Sequence, residues 1–92
     1  MVVRHILQYL IAHPDAKDTI RGILRWWLPG GVGAWEEAVV QDALDMLVAR
    51  GWLTQRQTSP SRILYGVDKV QLGEIQTFLR DIEAAGEGEH GA

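Results

Sequence analysis

Histidines and neighbouring carboxylates are the side chains of this chain that are suited to metal binding or proton transfer. The three histidines, His5, His13 and His90, lie far apart, and no two share one helical turn, as a zinc site on a helix requires. Glu36 and Glu37 are adjacent, so on a helix they point to different faces and cannot act as a carboxylate pair. The sequence therefore predicts neither a metal site nor a pair of catalytic carboxylates.

Nucleotide-binding and nucleophilic motifs give no enzyme signature either. The glycines of Gly30-Gly31-Val32-Gly33 are not followed by the lysine and serine of a phosphate-binding loop, and they follow a predicted helix rather than a strand. Ser59 and Ser61 fall in a predicted hairpin with no histidine at hand. The 92 residues include no cysteine, which excludes thiolate metal sites and disulfides. We predict a protein that is not an enzyme and that uses no cofactor.

Arginines supply the chemistry that remains, which is the recognition of anions. Two of them lie one turn apart on a predicted second helix, and two flank the tip of a predicted hairpin. Such side chains contact phosphates, and these contacts position a protein on nucleic acid without reading base sequence. The alternative is a solvated surface with local ion pairs. The residues concerned are Arg21, Arg25, Arg56 and Arg62, to which Lys17 and Arg50 can add.

The net charge of −3 is unevenly distributed along the chain. Residues 1–67 carry seven basic and six acidic side chains, whereas residues 68–92 carry two basic and six acidic ones. The acidic balance therefore belongs to the C-terminal part. Because the remainder is nearly neutral, total charge does not exclude a nucleic-acid partner.

Hydrophobic periodicity predicts two helices in the first third of the chain. A helical repeat covers residues 2–12 and ends at His13-Pro14, since the residue before a proline is disfavoured in a helix. Asp15 or Asp18 can cap the second helix, which the proline and glycines of residues 29–33 end. The apolar stripes are Val3, Ile6, Leu7, Leu10 and Ile11 for the first helix, and Ile20, Ile23, Leu24 and Trp27 for the second.

The remaining elements are a helix, a hairpin and a further helix. A third helix over Ala34 to Arg50 ends at Gly51, which suits the position just past a helix end. Strands over residues 52–57 and 62–67 enclose a tip at 58–61, and a fourth helix covers about 69–84. We expect one domain over residues 1–85 and a disordered tail at 86–92, which is rich in glycine and glutamate. The apolar stretch near the start is too short to span a bilayer, which takes about 20 residues, so we expect a cytoplasmic protein.

The run Ala43-Leu44-Asp45-Met46-Leu47-Val48-Ala49-Arg50-Gly51-Trp52-Leu53-Thr54, followed by the strand of residues 62–67, resembles the winged helix-turn-helix superfamily. Small prokaryotic regulator-type domains of this kind are the most similar. The resemblance covers roughly residues 2–68, and it implies an α+β fold with a three-helix core, a two-stranded wing and a C-terminal helix. It implies binding without specifying the ligand, since winged helices bind DNA, RNA and other proteins. The glycine-rich loop before helix 3 departs from the family pattern.

Helix 3, which enters DNA in many winged helices, has an unusual composition on its outer face. Its aliphatic residues cluster on one side, which predicts the core face and leaves two aspartates outside. A helix that reads bases needs donors such as arginine or asparagine, and Asp42 and Asp45 would instead approach phosphates of the same sign. Apolar residues between these carboxylates favour a protein partner or a second copy of the chain. The predicted interaction residues are Trp35, Val39, Asp42 and Met46.

Two hypotheses follow from the sequence. The first is a non-enzymatic binding module that contacts another protein, or itself as a homodimer, through the outer face of helix 3. The second is a DNA-binding regulator that contacts the backbone through the arginines of helix 2 and the wing. Trp35 can also fold back onto the domain, and the stripe of helix 4 can either cover the core or pair with a second copy.

Overall fold

A computed structural model describes residues 2–30 and 33–91 of the chain, with side chains for residues 2–30 and 33–85. The fold is α+β, with four helices and a three-stranded antiparallel sheet, as expected for the fold class. No helix among the described residues combines the length and the apolar character needed to cross a membrane. The elements are α1 (Val2–Ala12), β1 (Lys17–Asp18), α2 (Ile20–Gly22, continued by a π-helical turn over Ile23–Trp27), α3 (Glu37–Arg50), β2 (Leu53–Ser59), β3 (Arg62–Val67) and α4 (Leu72–Gly91).

Helix α3 has the rotation about its axis that its aliphatic pattern predicts. The core side is buried, and both aspartates of the outer side, Asp42 and Asp45, are exposed. The helix starts at Glu37 rather than at Ala34, so three residues expected in its first turn belong to the preceding loop. The side chains buried by α3 are Val40, Ala43, Leu44 and Leu47, with Val48 partly buried.

Gly51 ends α3 in the left-handed conformation, with φ of 87°. The N–H of Trp52 donates to the Leu47 carbonyl at 3.1 Å, and the N–H of Gly51 donates to the Val48 carbonyl at 3.0 Å. These two bonds satisfy carbonyls that a helix end leaves free, in the pattern of a Schellman motif. Two residues, Gly51 and Trp52, separate α3 from β2, which confirms the helix-glycine-strand order predicted from the sequence.

The predicted hairpin is present and pairs with a third strand that the sequence did not indicate. β2 and β3 are antiparallel, with a bulge between Gln57 and Ser59. The two residues of β1 pair with β3 on its other edge, so β3 is central. Lys17 and Asp18 have low strand propensity and form β1 because the chain between α1 and α2 passes along the free edge of β3.

The second helix differs in geometry from the regular helix that the sequence predicts. Thr19, rather than Asp15 or Asp18, is its N-cap, with Oγ1 accepting from the N–H of Gly22 at 3.3 Å, while Asp18 accepts from the N–H of Thr19 at 2.8 Å. Hydrogen bonds in a π-helical turn join residues five apart. The turn ends at Leu28, whose backbone is extended, and the Leu28 side chain is buried although it lay outside the predicted stripe.

Helix α4 packs beside α1 and covers the core. A short 3₁₀ turn over Lys69–Gln71 precedes it, so the α-helix begins later than predicted, and it extends to Gly91 rather than ending near Ala84. The side chains of the predicted tail, residues 86–92, lie outside the described part of the chain. Before α4, an exposed ion pair joins Lys69 to Asp15, and the hydrogen bond and charge of the ammonium lower the pKa of that carboxyl.

Gly51→Ala is expected to lower the free energy of unfolding by about 1 kcal/mol, because a Cβ strains a residue with positive φ. Gly73→Ala is the matched control, since an added Cβ has no neighbour within 4 Å at either position and Gly73 is helical. There the change is expected to be neutral or stabilising, by up to about 1 kcal/mol. Urea unfolding measures the free energy of unfolding of both variants. An equal effect at the two glycines would contradict the role of the left-handed conformation of Gly51 in ending α3.

Candidate functional site

The outer side of α3 presents an apolar and acidic surface, which we call the α3 face and define as Ala38, Val39, Asp42, Asp45, Met46 and Ala49. Val39 is 46% exposed and Met46 is 48% exposed, which makes them two of the most exposed large hydrophobic side chains described. Asp42 and Asp45 are also exposed. The face therefore offers two aliphatic contacts and two alanines, with two carboxylates beside them.

Gln41, at the edge of the α3 face, carries the only side-chain amide of α3. Its Nε2 donates to Asp45 Oδ1 at 2.9 Å and to the hydroxyl of Tyr65 at 2.9 Å. An amide nitrogen has two hydrogens, so these bonds use both of its donors. Because Tyr65 is buried in the sheet, the amide is tied to the domain rather than directed to a ligand.

Trp35 lies away from the position predicted for it on the outer face of helix 3. It precedes the first residue of α3 and is partly buried, with its indole Nε1 donating to the Pro29 carbonyl at 2.9 Å. Its ring meets that of His5 edge to face, with centroids 5.5 Å apart. Trp35 thus joins the loop before α3 to α1. Val39, Asp42 and Met46 are the predicted interaction residues that remain on the exposed side.

Arg21, Arg25 and Trp26 form a second exposed surface, which we call the α2 surface. They line a surface cavity of about 410 Å³ between α2 and the start of α3, where Glu37 forms part of the opposite wall. Trp26 is 67% exposed, and the Arg25 guanidinium carbon lies 5.9 Å from the centre of its ring. The α2 surface combines two guanidinium groups with the exposed ring of Trp26, and the carboxyl groups of Asp18 and Glu37 line the same cavity.

The two wing arginines lie apart from the α2 surface. Arg56 pairs across the hairpin with Leu64, and Arg62 is two residues from Leu64 on β3, so alternation places both arginines on one face of the ribbon. Ile63 and Tyr65 are on the opposite face, which is the one that lines a cavity with Arg21. The four predicted phosphate contacts are therefore two separate pairs, because strand alternation directs the wing arginines away from α2.

Lys17 and Arg50 are positioned by packing within the domain. The guanidinium carbon of Arg50 lies 4.0 Å from the centre of the Trp52 ring and 5.4 Å from that of Phe78. The stem of Lys17 lies over Gly66 of β3. Arg50 is thus placed over two aromatic rings at the end of α3, a contact that stabilises the domain.

The imidazoles of the described residues also pack against aromatic rings. His5 meets Trp35, and the ring centre of His13 lies 4.5 Å from that of Tyr9, which in turn stacks on Trp27 at 5.0 Å. Among the described residues, no three His, Asp or Glu side chains are grouped as metal ligands. The described residues thus present two exposed surfaces that are candidates for binding, the α3 face and the α2 surface.

Trp26 is the site residue that sequence reasoning did not single out. It is adjacent to Trp27, and two consecutive tryptophans on one helix cannot both face the core. The apolar stripe includes Trp27 and excludes Trp26, and this pattern could have indicated that Trp26 is exposed. The cavity that joins Trp26 to Arg21 and Glu37 depends on how α2 packs on α3, and no local pattern in the sequence contains that information.

Trp35→Ala is expected to lower the free energy of unfolding by about 1–2 kcal/mol, because a partly buried ring and its hydrogen bond are lost. Trp26→Ala is the matched control, since the same atoms are removed from an exposed position. There the change is expected to stay within about 0.5 kcal/mol. Thermal unfolding followed by circular dichroism compares the two variants in dilute solution, where self-association does not add to stability, and a larger loss for Trp26→Ala would contradict the assigned positions.

No family model, no curated protein and no solved structure matches this chain.

Proposed function

We propose that the chain is a winged-helix module that binds another protein through the α3 face. The order of three helices, a hairpin and a C-terminal helix supports this fold assignment, with α3 in the place of the recognition helix and β2–β3 in the place of the wing. The Schellman stop at Gly51, which leads directly into the hairpin, supports it further. The proposed activity is binding alone, without catalysis or a cofactor.

The main support for the proposal is the composition of α3, the helix in the recognition position. It exposes Val39 and Met46 beside two carboxylates, and its one side-chain amide is hydrogen-bonded within the domain. Base recognition in the major groove depends on free donors and acceptors, with arginine and asparagine the commonest readers. Carboxylates on that helix also repel the phosphates on both sides of the groove. A protein surface with apolar side chains and a basic rim complements both the apolar side chains and the negative charge of the α3 face.

The shape of the α3 face agrees with a helix or sheet as its partner. Ala38 and Ala49 are exposed on either side of Asp42 along the helix, and their small side chains permit close approach of another backbone. Met46 is flexible and polarisable, which suits a contact that adapts to the partner surface. The aspartates then provide orientation, because a misplaced partner would leave them facing apolar groups.

A photo-reactive phenylalanine derivative at position 46 tests the proposal. We expect it to form one discrete adduct with another polypeptide in cells, because position 46 is central to the α3 face. The same residue at position 76 is the control, since Gln76 is exposed in the groove between α4 and α1. Adding Asp42→Arg to the position 46 variant is expected to reduce the adduct at least about tenfold. Equal adducts at both positions, or an adduct indifferent to Asp42→Arg, would contradict the proposal.

Backbone contact with DNA through the wing is the second candidate. It is favoured by one observation, the exposure of Arg56 and Arg62 as neighbours on one face of the ribbon. These two cations limit the phosphate contacts that the wing can make, and they leave base sequence unread.

Fluorescence anisotropy with a labelled random duplex at two salt concentrations separates the candidates. The protein-binding proposal predicts no saturable binding even at low salt. Wing binding instead predicts that log affinity falls with log salt at a slope of about −2, because two phosphates are neutralised. Arg56→Gln with Arg62→Gln would abolish such binding, and Arg80→Gln on α4 is the matched control.

A further inference from the structure

The α2 surface and the α3 face have complementary properties. One carries Arg21 and Arg25 beside the exposed ring of Trp26, and the other carries Asp42 and Asp45 beside the exposed side chains of Val39 and Met46. The ion pair found among the described side chains joins Lys69 to Asp15, so within that part of the chain these two arginines and two aspartates form none. Opposite charges and exposed apolar groups are therefore present on one molecule without being paired there.

The α2 surface adjoins the edge of the α3 face at which Gln41 and Asp45 lie. Glu37, the first residue of α3, lines the cavity that contains Arg21, Arg25 and Trp26. Arg21 also lines a second cavity, of about 290 Å³, together with Gln41. Since Gln41 donates to Asp45, the α3 face begins where this second cavity ends. A two-fold axis that passes between the two surfaces can therefore place the α2 surface of each copy on the α3 face of the other copy.

A direct pairing of α3 with α3 is disfavoured by the aspartates. A two-fold axis through the middle of the α3 face would place Asp42 and Asp45 against the same residues of the other copy. Carboxylates in close contact repel each other, and burial between two apolar surfaces strengthens that repulsion. The complementary arrangement sets the aspartates of one copy against the arginines of the other and covers Trp26 with Val39 and Met46.

We propose that the occupant of the α3 face is a second copy of this chain, docked through its α2 surface, so that two molecules form a reciprocal dimer. The inference rests on the proposed function, because it identifies the partner for the same face. The contact occurs twice in a closed dimer, as two-fold symmetry requires. Each tryptophan side chain covered contributes on the order of 150–250 Å² of surface, and arginine with tryptophan is a frequent pair of interface anchors.

Charge exchange tests the pairing through sedimentation velocity over a wide range of protein concentration. The unaltered chain is expected to dimerise, more weakly as salt increases. Arg21→Glu with Arg25→Glu, or separately Asp42→Arg with Asp45→Arg, is expected to raise the dissociation constant at least about 100-fold, because like charges then meet at both contacts. An equimolar mixture of these two variants is expected to dimerise again, because both contacts of the mixed dimer pair opposite charges.

Arg56→Glu with Arg62→Glu is the matched control, since it makes the same change of charge on the wing and is expected to leave dimerisation unchanged. Circular dichroism checks that each variant is folded. The inference is overturned if the unaltered chain stays monomeric, if the exchanged variants dimerise as well as the parent, or if the mixture does not recover. If the chain is monomeric but position 46 still forms an adduct with a different protein, the proposed function stands and only the second copy is excluded as the partner. Loss of both the dimer and the adduct removes both proposals.

Discussion

The burial of one side of α3 is the constraint on which the rest of the structure depends. Four side chains, Val40, Ala43, Leu44 and Leu47, are at most 7% exposed, and they set the rotation of the helix about its axis. Once that rotation is set, the aspartates and Met46 must face solvent, because helical periodicity leaves them no other position. The apolar interior thus determines which chemistry the domain presents outside, although none of the presenting residues belongs to the core.

Polar contacts at the edge of α3 hold this rotation in place. The amide of Gln41 joins Asp45 on the helix to the hydroxyl of Tyr65 in the central strand. Because Tyr65 is buried, its hydroxyl needs a partner, and the glutamine supplies it at the boundary between core and solvent. The same bonds remove the amide from recognition. The described role of Gln41 is therefore structural.

Local patterns predicted the features that local physics controls. The aliphatic spacing predicted the rotation of α3, Gly51 predicted its end, and alternation predicted the hairpin, since each depends on residues close together in sequence. The two residues of β1 pair only because α1 and α2 bring them to the edge of β3, so their own propensities gave no signal. Trp35 was misplaced for a related reason: its place depends on His5 and Pro29, and neither contact follows from helical periodicity.

The same distinction applies to the candidate surfaces. The acidic and apolar character of the α3 face was evident from helical spacing alone. The separation of the wing arginines from Arg21 and Arg25 depends on which face of β3 packs toward α2, and that is a tertiary choice. The π-helical turn is likewise invisible in composition, because the apolar residues of Ile23–Trp27 fit a regular helix equally well. Apart from β1 and the π-helical turn, what the sequence left open was the mutual placement of the elements rather than their existence.

Trp52 has a mechanical consequence for the domain. Its N–H is bonded to the last turn of α3, its carbonyl accepts from the N–H of Asp68 at 2.9 Å, and its ring contacts Phe78 of α4. One residue thus connects the end of α3, the base of the hairpin and the approach to α4. A displacement of any one of these segments is therefore passed to the other two in part through the contacts of Trp52.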